Sequence, residues 1–223
     1  AAAISIAPMR PEGAEHMATG WSAVREGFGY LRRRPVLQAA FGIDIVAMVF
    51  GMPRALFPIL AVQQFHRGEV IVGLLFSAPA VGALLAALTT GWVKHVRHQG
   101  RAVIWAVVLW GIGITAFGLA GDRLWLGLTL LAFAGGADVI SAVFRNTILQ
   151  VTVPDHLRGR LSGINILVVT GGPRLGDLEA GLVAAAFSPA VSVVSGGLLC
   201  IAGAGLLAWL VPAFRRYHAG EAA

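Results

Sequence analysis

Seven ionisable side chains lie inside long apolar stretches of this sequence. They are Asp44, Arg54, Asp138, Arg145, Arg174, Asp177 and Glu179. Charged groups in hydrocarbon are energetically costly and usually face a bundle interior or a water-filled path. A carboxylate there without a cationic partner is suited to carrying a proton, as a proton-coupled carrier requires. These residue types therefore indicate ion-driven transport chemistry.

The depth of each charge in its apolar stretch, at about 1.5 Å per residue of helix, predicts which charges meet. The expected pairs are Asp44 with Arg145, Arg54 with Glu179, and Arg174 with either Asp138 or Asp177. Four carboxylates against three guanidiniums leave one over, so Asp138 or Asp177 is the candidate proton carrier. The alternative is that all seven are ion pairs that fix helix packing, the fourth carboxylate meeting a residue outside this chain.

The elements that must position these charges are membrane helices. Of the 223 residues, 57% are hydrophobic and 13% charged, and the mean hydropathy is +0.77. Such a composition excludes a soluble protein and indicates membrane lipid as its surroundings. A span takes about 20 residues, so we expect an all-α membrane protein with six spans, a bundle over residues 36–211. The predicted spans are 36–62, 70–93, 102–120, 124–151, 161–187 and 191–211.

The flanking segments are polar. Residues 1–20 have the composition of a linker, 21–34 of an amphipathic surface helix, and 212–223 of a tail. The linker lacks signal-peptide features, so we expect the chain to begin within a longer protein.

Basic residues are distributed unequally between the two sides. One side would hold Arg10, Arg25, Arg32, Arg33, Arg34, Lys94, Arg97, Arg101, Arg158, Arg160, Arg215 and Arg216. The other would hold Arg67 and Arg123. The positive-inside rule then predicts that both termini lie in the cytoplasm, and we expect a multi-pass protein of the cell inner membrane. Because the basic residues are scattered, no nucleic-acid partner is expected.

Three spans carry helix-breaking residues: Pro79 lies in the second, and the two predicted breaks lie in the first and the fifth. Pro53 lies in the first span, and Gly171, Gly172 and Pro173 lie in the fifth, just before a charged cluster. A break at mid-membrane is typical of a discontinuous-helix transport site. The alternative for the fifth span is close packing through small residues.

No residue pattern indicates catalysis, a metal site or a cofactor. The six histidines lie in tails and loops, and Cys200 is the single cysteine. No glycine-rich loop ends in Gly-Lys-Ser or Gly-Lys-Thr, so energy from nucleotide hydrolysis is not expected. We therefore expect a protein that is not an enzyme and that is driven by an ion gradient.

Several motifs resemble the C-terminal half of a major facilitator superfamily transporter, in particular its secretion-effector branch. Three lie in spans, at 51–58, 145–150 and 172–181, and two lie in loops, at 91–101 and 154–160. The loop residues that carry the resemblance are Gly91, Arg97, Gly100, Arg101, Pro154, Asp155, Arg158, Gly159 and Arg160. The first loop departs from the superfamily signature because His95 stands where the signature has aspartate.

The resemblance implies a proton-driven exporter with two six-helix bundles around a central cavity, each bundle built from two inverted three-helix repeats. This chain would be one such half-bundle. Its partners would be the missing N-terminal half, from the same chain, a separate chain or a second copy, and a small amphipathic substrate such as a siderophore or a drug-like compound. The alternatives are a transporter-derived structural or accessory subunit without transport activity and an uptake carrier.

Overall fold

A computed structural model describes residues 21–66 and 68–218, and every regular element in those residues is helical. The predicted linker at 1–20, with Arg10, lies outside them, as do Arg67 and residues 219–223. The predicted fold class, an all-α half-bundle, is confirmed.

The described residues form nine α-helices, which follow one another with short connections. They are α1 (Trp21–Arg32), α2 (Pro35–Phe50), α3 (Phe57–Gln63), α4 (Glu69–Leu88), α5 (Gln99–Gly118), α6 (Leu124–Thr152), α7 (Asp155–Ala186), α8 (Pro189–Leu210) and α9 (Pro212–Arg216). Two 3₁₀ helices, Arg54–Leu56 and Thr90–His95, precede α3 and follow α4.

Within residues 21–66 and 68–218, five helical segments are long and apolar enough to cross a membrane: Pro35–Gln63, which joins α2 and α3, and α4, α5, α6 and α8. The remaining predicted span, the fifth, corresponds to α7, whose 32 residues give a length of about 48 Å. Charged side chains lower the hydropathy of α7, which is why it is not among the five apolar segments. Its length and its packing against α2 and α8 nevertheless make it part of the bundle.

Two helix ends lie more than four residues from the predicted span boundaries. The second span was expected to reach Val93, but α4 ends at Leu88 and the chain tightens into a 3₁₀ helix. The hydroxyl of Thr89 bonds back to the carbonyl of Ala86 at 2.9 Å there. The fifth span was expected to begin at Leu161, but α7 begins at Asp155, whose carboxylate suits the first turn of a helix.

The helices pack as one bundle, in which α5 and α8 lie against each other and join two sets of neighbouring helices. Helix α6 packs between α4 and α5, and α2 packs against α7 and α8. Small residues allow backbones to touch: a Cβ at Gly82 would collide with the carbonyl of Ala132, and one at Gly135 with the backbone of Pro79. Packing of this kind substitutes for the hydrophobic effect, which does not drive helices together in lipid.

The two short outer helices lie at one end of the bundle. Glu26 of α1 pairs with Arg160 of α7, and Phe214 of α9 lies against Gly100 at the start of α5. We call this the basic end, because Arg97, Arg101, Arg158 and Arg160 also lie there or in its loops.

Of the two predicted helix breaks, only the first is present. Helix α2 ends at Phe50, and α3 begins at Phe57, so Pro53 lies in an interruption of the first span. Helix α7 runs unbroken through Gly171, Gly172 and Pro173, and the predicted break there is wrong. The structure supports the packing alternative at Gly172, where a Cβ would lie 2.8 Å from the Cβ of Met48.

A candidate transport groove

A polar cavity of about 320 Å³ lies between α2, α6 and α7. These are the three spans that carry the predicted charges. The lining combines Asp44, Asp138 and Arg145 with the amides of Asn146 and Asn165. Apolar side chains from α2 and α7 complete the lining, so the cavity offers both polar and apolar contacts.

A second cavity of about 290 Å³ continues the first towards the basic end. The two share Asn146, Leu149 and Asn165, and the second extends to Gln150 and Arg158. We call the two together the transport groove. It runs from the middle of α6 to the first turns of α7, with hydrogen-bonding side chains along its length.

The groove contains a buried ion pair. Asp44 and Arg145 contact each other with 4% and 6% of their surfaces exposed. This contact is the one that their depths predict. Leaving either charge buried alone would be strongly unfavourable, so the pair fixes α2 against α6.

Asp138 lies where the groove meets a third, smaller cavity of about 40 Å³, and it lines both. Arg54 lines the smaller cavity from the interrupted first span, near enough for its charge to act on Asp138. Asp138 forms no ion pair within 4 Å in the described residues. It is therefore a half-buried carboxylate with a cation nearby but not in contact.

Asp177 contacts the interruption in the first span. One of its carboxylate oxygens accepts a hydrogen bond from the backbone N–H of Ala55 at 3.2 Å. That N–H lies in the 3₁₀ helix, where the α-helical bonding pattern is lost. The sequence predicted Arg174 as a possible partner of Asp177, but Asp177 instead accepts a hydrogen bond from the backbone.

Two expected ion pairs are absent from the part of the chain that the structure describes. Arg54 does not pair with Glu179, and Arg174 pairs with neither Asp138 nor Asp177. The interruption after α2 displaces Arg54 to the small cavity beside Asp138, away from the position that a straight helix would give it. Arg174 is exposed on the surface of the half-bundle and Glu179 is half-buried.

A buried tryptophan was not predicted to take part. The indole N–H of Trp110 in α5 donates to the carbonyl of Gly51 at 3.0 Å, at the end of α2. Trp110 is 3% exposed. The sequence signal for this role was a polar-tipped aromatic in the middle of a span, level with the interruption, where a freed carbonyl requires a donor.

Most residues of the two predicted loop motifs lie in helices at the basic end, not in loops: Gly100 and Arg101 are in the first turn of α5, and Asp155 to Arg160 begin α7. Arg158 donates to the carbonyl of Gln150 at 3.1 Å and pairs with Asp155 at 3.0 Å. Pro154 immediately precedes α7, and Gly91 and Gly159 have open space around them. Arg97 and Arg101 are exposed. In residues 21–66 and 68–218 no three His, Cys, Asp or Glu side chains are grouped as a metal site requires.

Comparison with known proteins agrees with this architecture. The family model described as transmembrane secretion effector matches residues 11–220. The enterobactin exporter EntS of Citrobacter koseri is 30% identical over 95% of this chain, and those of Escherichia coli O1:K1 and Shigella boydii serotype 18 are 28% identical over the same share.

The chain spans about half the length of these curated relatives, 50% in each case. No solved structure matches it significantly. The match covers the six long helical segments and both loop motifs, and it confirms the resemblance to the superfamily. The chain belongs to the transmembrane secretion effector family of the major facilitator superfamily.

Proposed function

We propose that this chain forms one half of a proton-coupled exporter of small amphipathic compounds. The observation that carries the proposal is the transport groove, in which Asp138, a carboxylate with no ion-pair partner among the described residues, lies beside a buried pair and a row of amides. Membership of a family of secretion effectors supports transport as the activity.

In this proposal Asp138 carries the proton. When Asp138 is ionised, Arg54 stabilises it across the small cavity, and when it is protonated that attraction is lost. Proton binding thereby changes the force between α6 and the interrupted first span. The neighbouring Asp44 and Arg145 stay paired in both states, so together they add no net charge to the groove.

The side chains that line the groove indicate the chemical groups of a suitable substrate. Asn146, Gln150, Ser162 and Asn165 present hydrogen-bonding groups, and Met48 and Val169 present apolar surface. A compound with polar edges and an apolar body fits both. Because the relatives are named enterobactin exporters, we include siderophores with drug-like molecules as the substrate class.

A second half is needed to complete the path, because the groove is bounded by three helices of this chain and the relatives are twice as long. We propose that Arg174, exposed on α7, and Glu179 face that second half. The basic end would lie in the cytoplasm of a cell whose inner membrane holds the protein, so that the groove receives substrate from inside.

The test uses the full-length protein that contains these helices, reconstituted in lipid vesicles with an imposed proton gradient. Substrate accumulation and proton movement are measured together. We expect Asp138→Asn to abolish gradient-driven accumulation while it preserves downhill exchange. Asp122→Asn, at an exposed turn, is the matched control and should change neither.

The variant Asp177→Asn tests which of the two candidate carboxylates, Asp138 or Asp177, carries the proton. An asparagine oxygen can still accept the hydrogen bond from Ala55, so this variant removes charge and keeps the contact. If Asp138→Asn retains gradient-driven accumulation, Asp138 is not the proton carrier. If the unsubstituted protein moves no protons when substrate is added, the chain is instead a structural or accessory subunit whose charges fix packing.

A further inference from the structure

A large apolar cleft lies on the opposite face of α6 from the transport groove. Its volume is about 620 Å³, its walls are α4 and α5, and its floor is α6. Gly136 and Ile140 line the cleft, whereas Asp138 and Ala142 line the groove. Residues two apart point to nearly opposite sides of a helix. A second half-bundle that closes the groove therefore does not cover this cleft.

The cleft exists because its walls carry small residues. Helices α4 and α5 both pack on α6 but scarcely touch each other. Where they face one another, α4 presents Gly82 and Ala86, and α5 presents Ala102 and Ala106. Larger side chains at these positions would fill the space.

Water is not a suitable occupant. Apart from two indoles, Thr129 supplies the one polar side chain of the lining, and its hydroxyl already donates to the carbonyl of Trp125 at 2.8 Å. A cavity without polar partners stays dry. The lining of α6 extends from Thr129 to Phe144, about 22 Å of helix, or more than half the thickness of the hydrocarbon core. An acyl chain matches this shape and chemistry.

One end of the cleft has the residues expected at a lipid headgroup. Trp92 closes it, with its ring centroid 6.0 Å from that of Phe144, and Trp105 lies nearby, 65% exposed. Tryptophan is enriched at the level of lipid headgroups. Arg97 lies in the loop that joins α4 to α5, and Arg101 lies in the first turn of α5; both are exposed and have no ion-pair partner in the described residues.

We propose that the α4–α5 cleft binds an anionic phospholipid, with an acyl chain along α6 and its headgroup on Arg97 and Arg101. This site is separate from the transport groove and does not depend on the proposed function. Each arginine should favour an anionic over a zwitterionic headgroup by about fivefold, which gives about 30-fold for both.

The test is lipid retention by the full-length protein. The protein is exchanged into bilayers of equal phosphatidylglycerol and phosphatidylcholine and extracted gently, and the retained lipids are counted by native mass spectrometry. We expect retained phosphatidylglycerol to exceed phosphatidylcholine about 30-fold, and the double variant Arg97→Gln/Arg101→Gln to remove the preference. Arg123→Gln, an exposed arginine at the opposite end, should keep it.

A second variant tests the acyl site. Ala102→Phe fills the cleft at its end, so retention of both lipids should fall, whereas Ala87→Phe, exposed on α4 and outside the cleft, should not alter it. Equal retention of the two lipids by the unsubstituted protein, or unchanged retention by Ala102→Phe, would overturn the proposal. So would an Ala102→Phe variant that loses substrate binding while it keeps its lipid, because the cleft would then hold substrate. The arginine variants alter only exposed side chains, so the charge test stands even if Ala102→Phe fails to fold.

Discussion

Removing one partner of the buried pair in the groove should be among the most destabilising single changes in this protein. Asp44→Asn leaves the guanidinium of Arg145 at a position where 6% of the residue is exposed. Breaking a buried pair in this way typically costs about 3 to 5 kcal/mol, because an uncompensated charge stays behind. Replacing both residues, as in Asp44→Leu/Arg145→Met, removes the charges together and should recover most of that loss.

The measurement is the free energy of unfolding of the full-length protein in mixed micelles, from a denaturant titration. The pair of Asp155 and Arg158 is the matched control, because its side chains are 88% and 55% exposed. Asp155→Asn should cost no more than about 1 kcal/mol. If Asp44→Asn costs as little as Asp155→Asn, or if the double variant is no more stable than the single one, the groove is wetter than its geometry indicates and our reasoning fails.

Two further predictions concern packing and the interrupted span. Gly176→Ala should destabilise the protein by about 1 to 3 kcal/mol, because the new Cβ would lie 2.7 Å from two backbone carbonyl oxygens of α2. Gly171→Ala, in open space on the same helix, should be neutral or stabilising, and similar effects of the two would contradict the packing role. Trp110→Phe should cost about 1 to 3 kcal/mol through the unbonded carbonyl of Gly51. Trp105→Phe, at a 65% exposed position, should change the same unfolding free energy by less than about 0.5 kcal/mol, and an equal loss would refute the hydrogen-bond argument.

Hydropathy and spacing were enough to predict the helices and one of the ion pairs. Apolar length determines where a span can lie, because the bilayer imposes one thickness on every helix. Depth along the helix axis then predicted that Asp44 and Arg145 lie at the same level of the membrane, and the structure has them in contact. Both inferences depend on distance along a straight helix, which sequence gives directly.

The predictions that failed depend on rotation and on local backbone. Whether Pro173 breaks its helix depends on what packs beside it, and Gly172 lies too close to Met48 for a displaced backbone to be accommodated easily. Arg54 missed Glu179 because the interruption before it changes its direction as well as its depth. The role of Trp110 requires knowing which helix lies beside α2, which periodicity does not reveal.

The interruption in the first span also has an electrical consequence. Polar backbone exposed at mid-membrane would draw water into the hydrocarbon, and a file of water conducts protons. Here the Gly51 carbonyl is bonded by an indole and the Ala55 N–H by a carboxylate. Side chains of neighbouring helices thus satisfy polar backbone groups in this stretch of irregular chain, which lowers its tendency to draw in water and so to conduct protons.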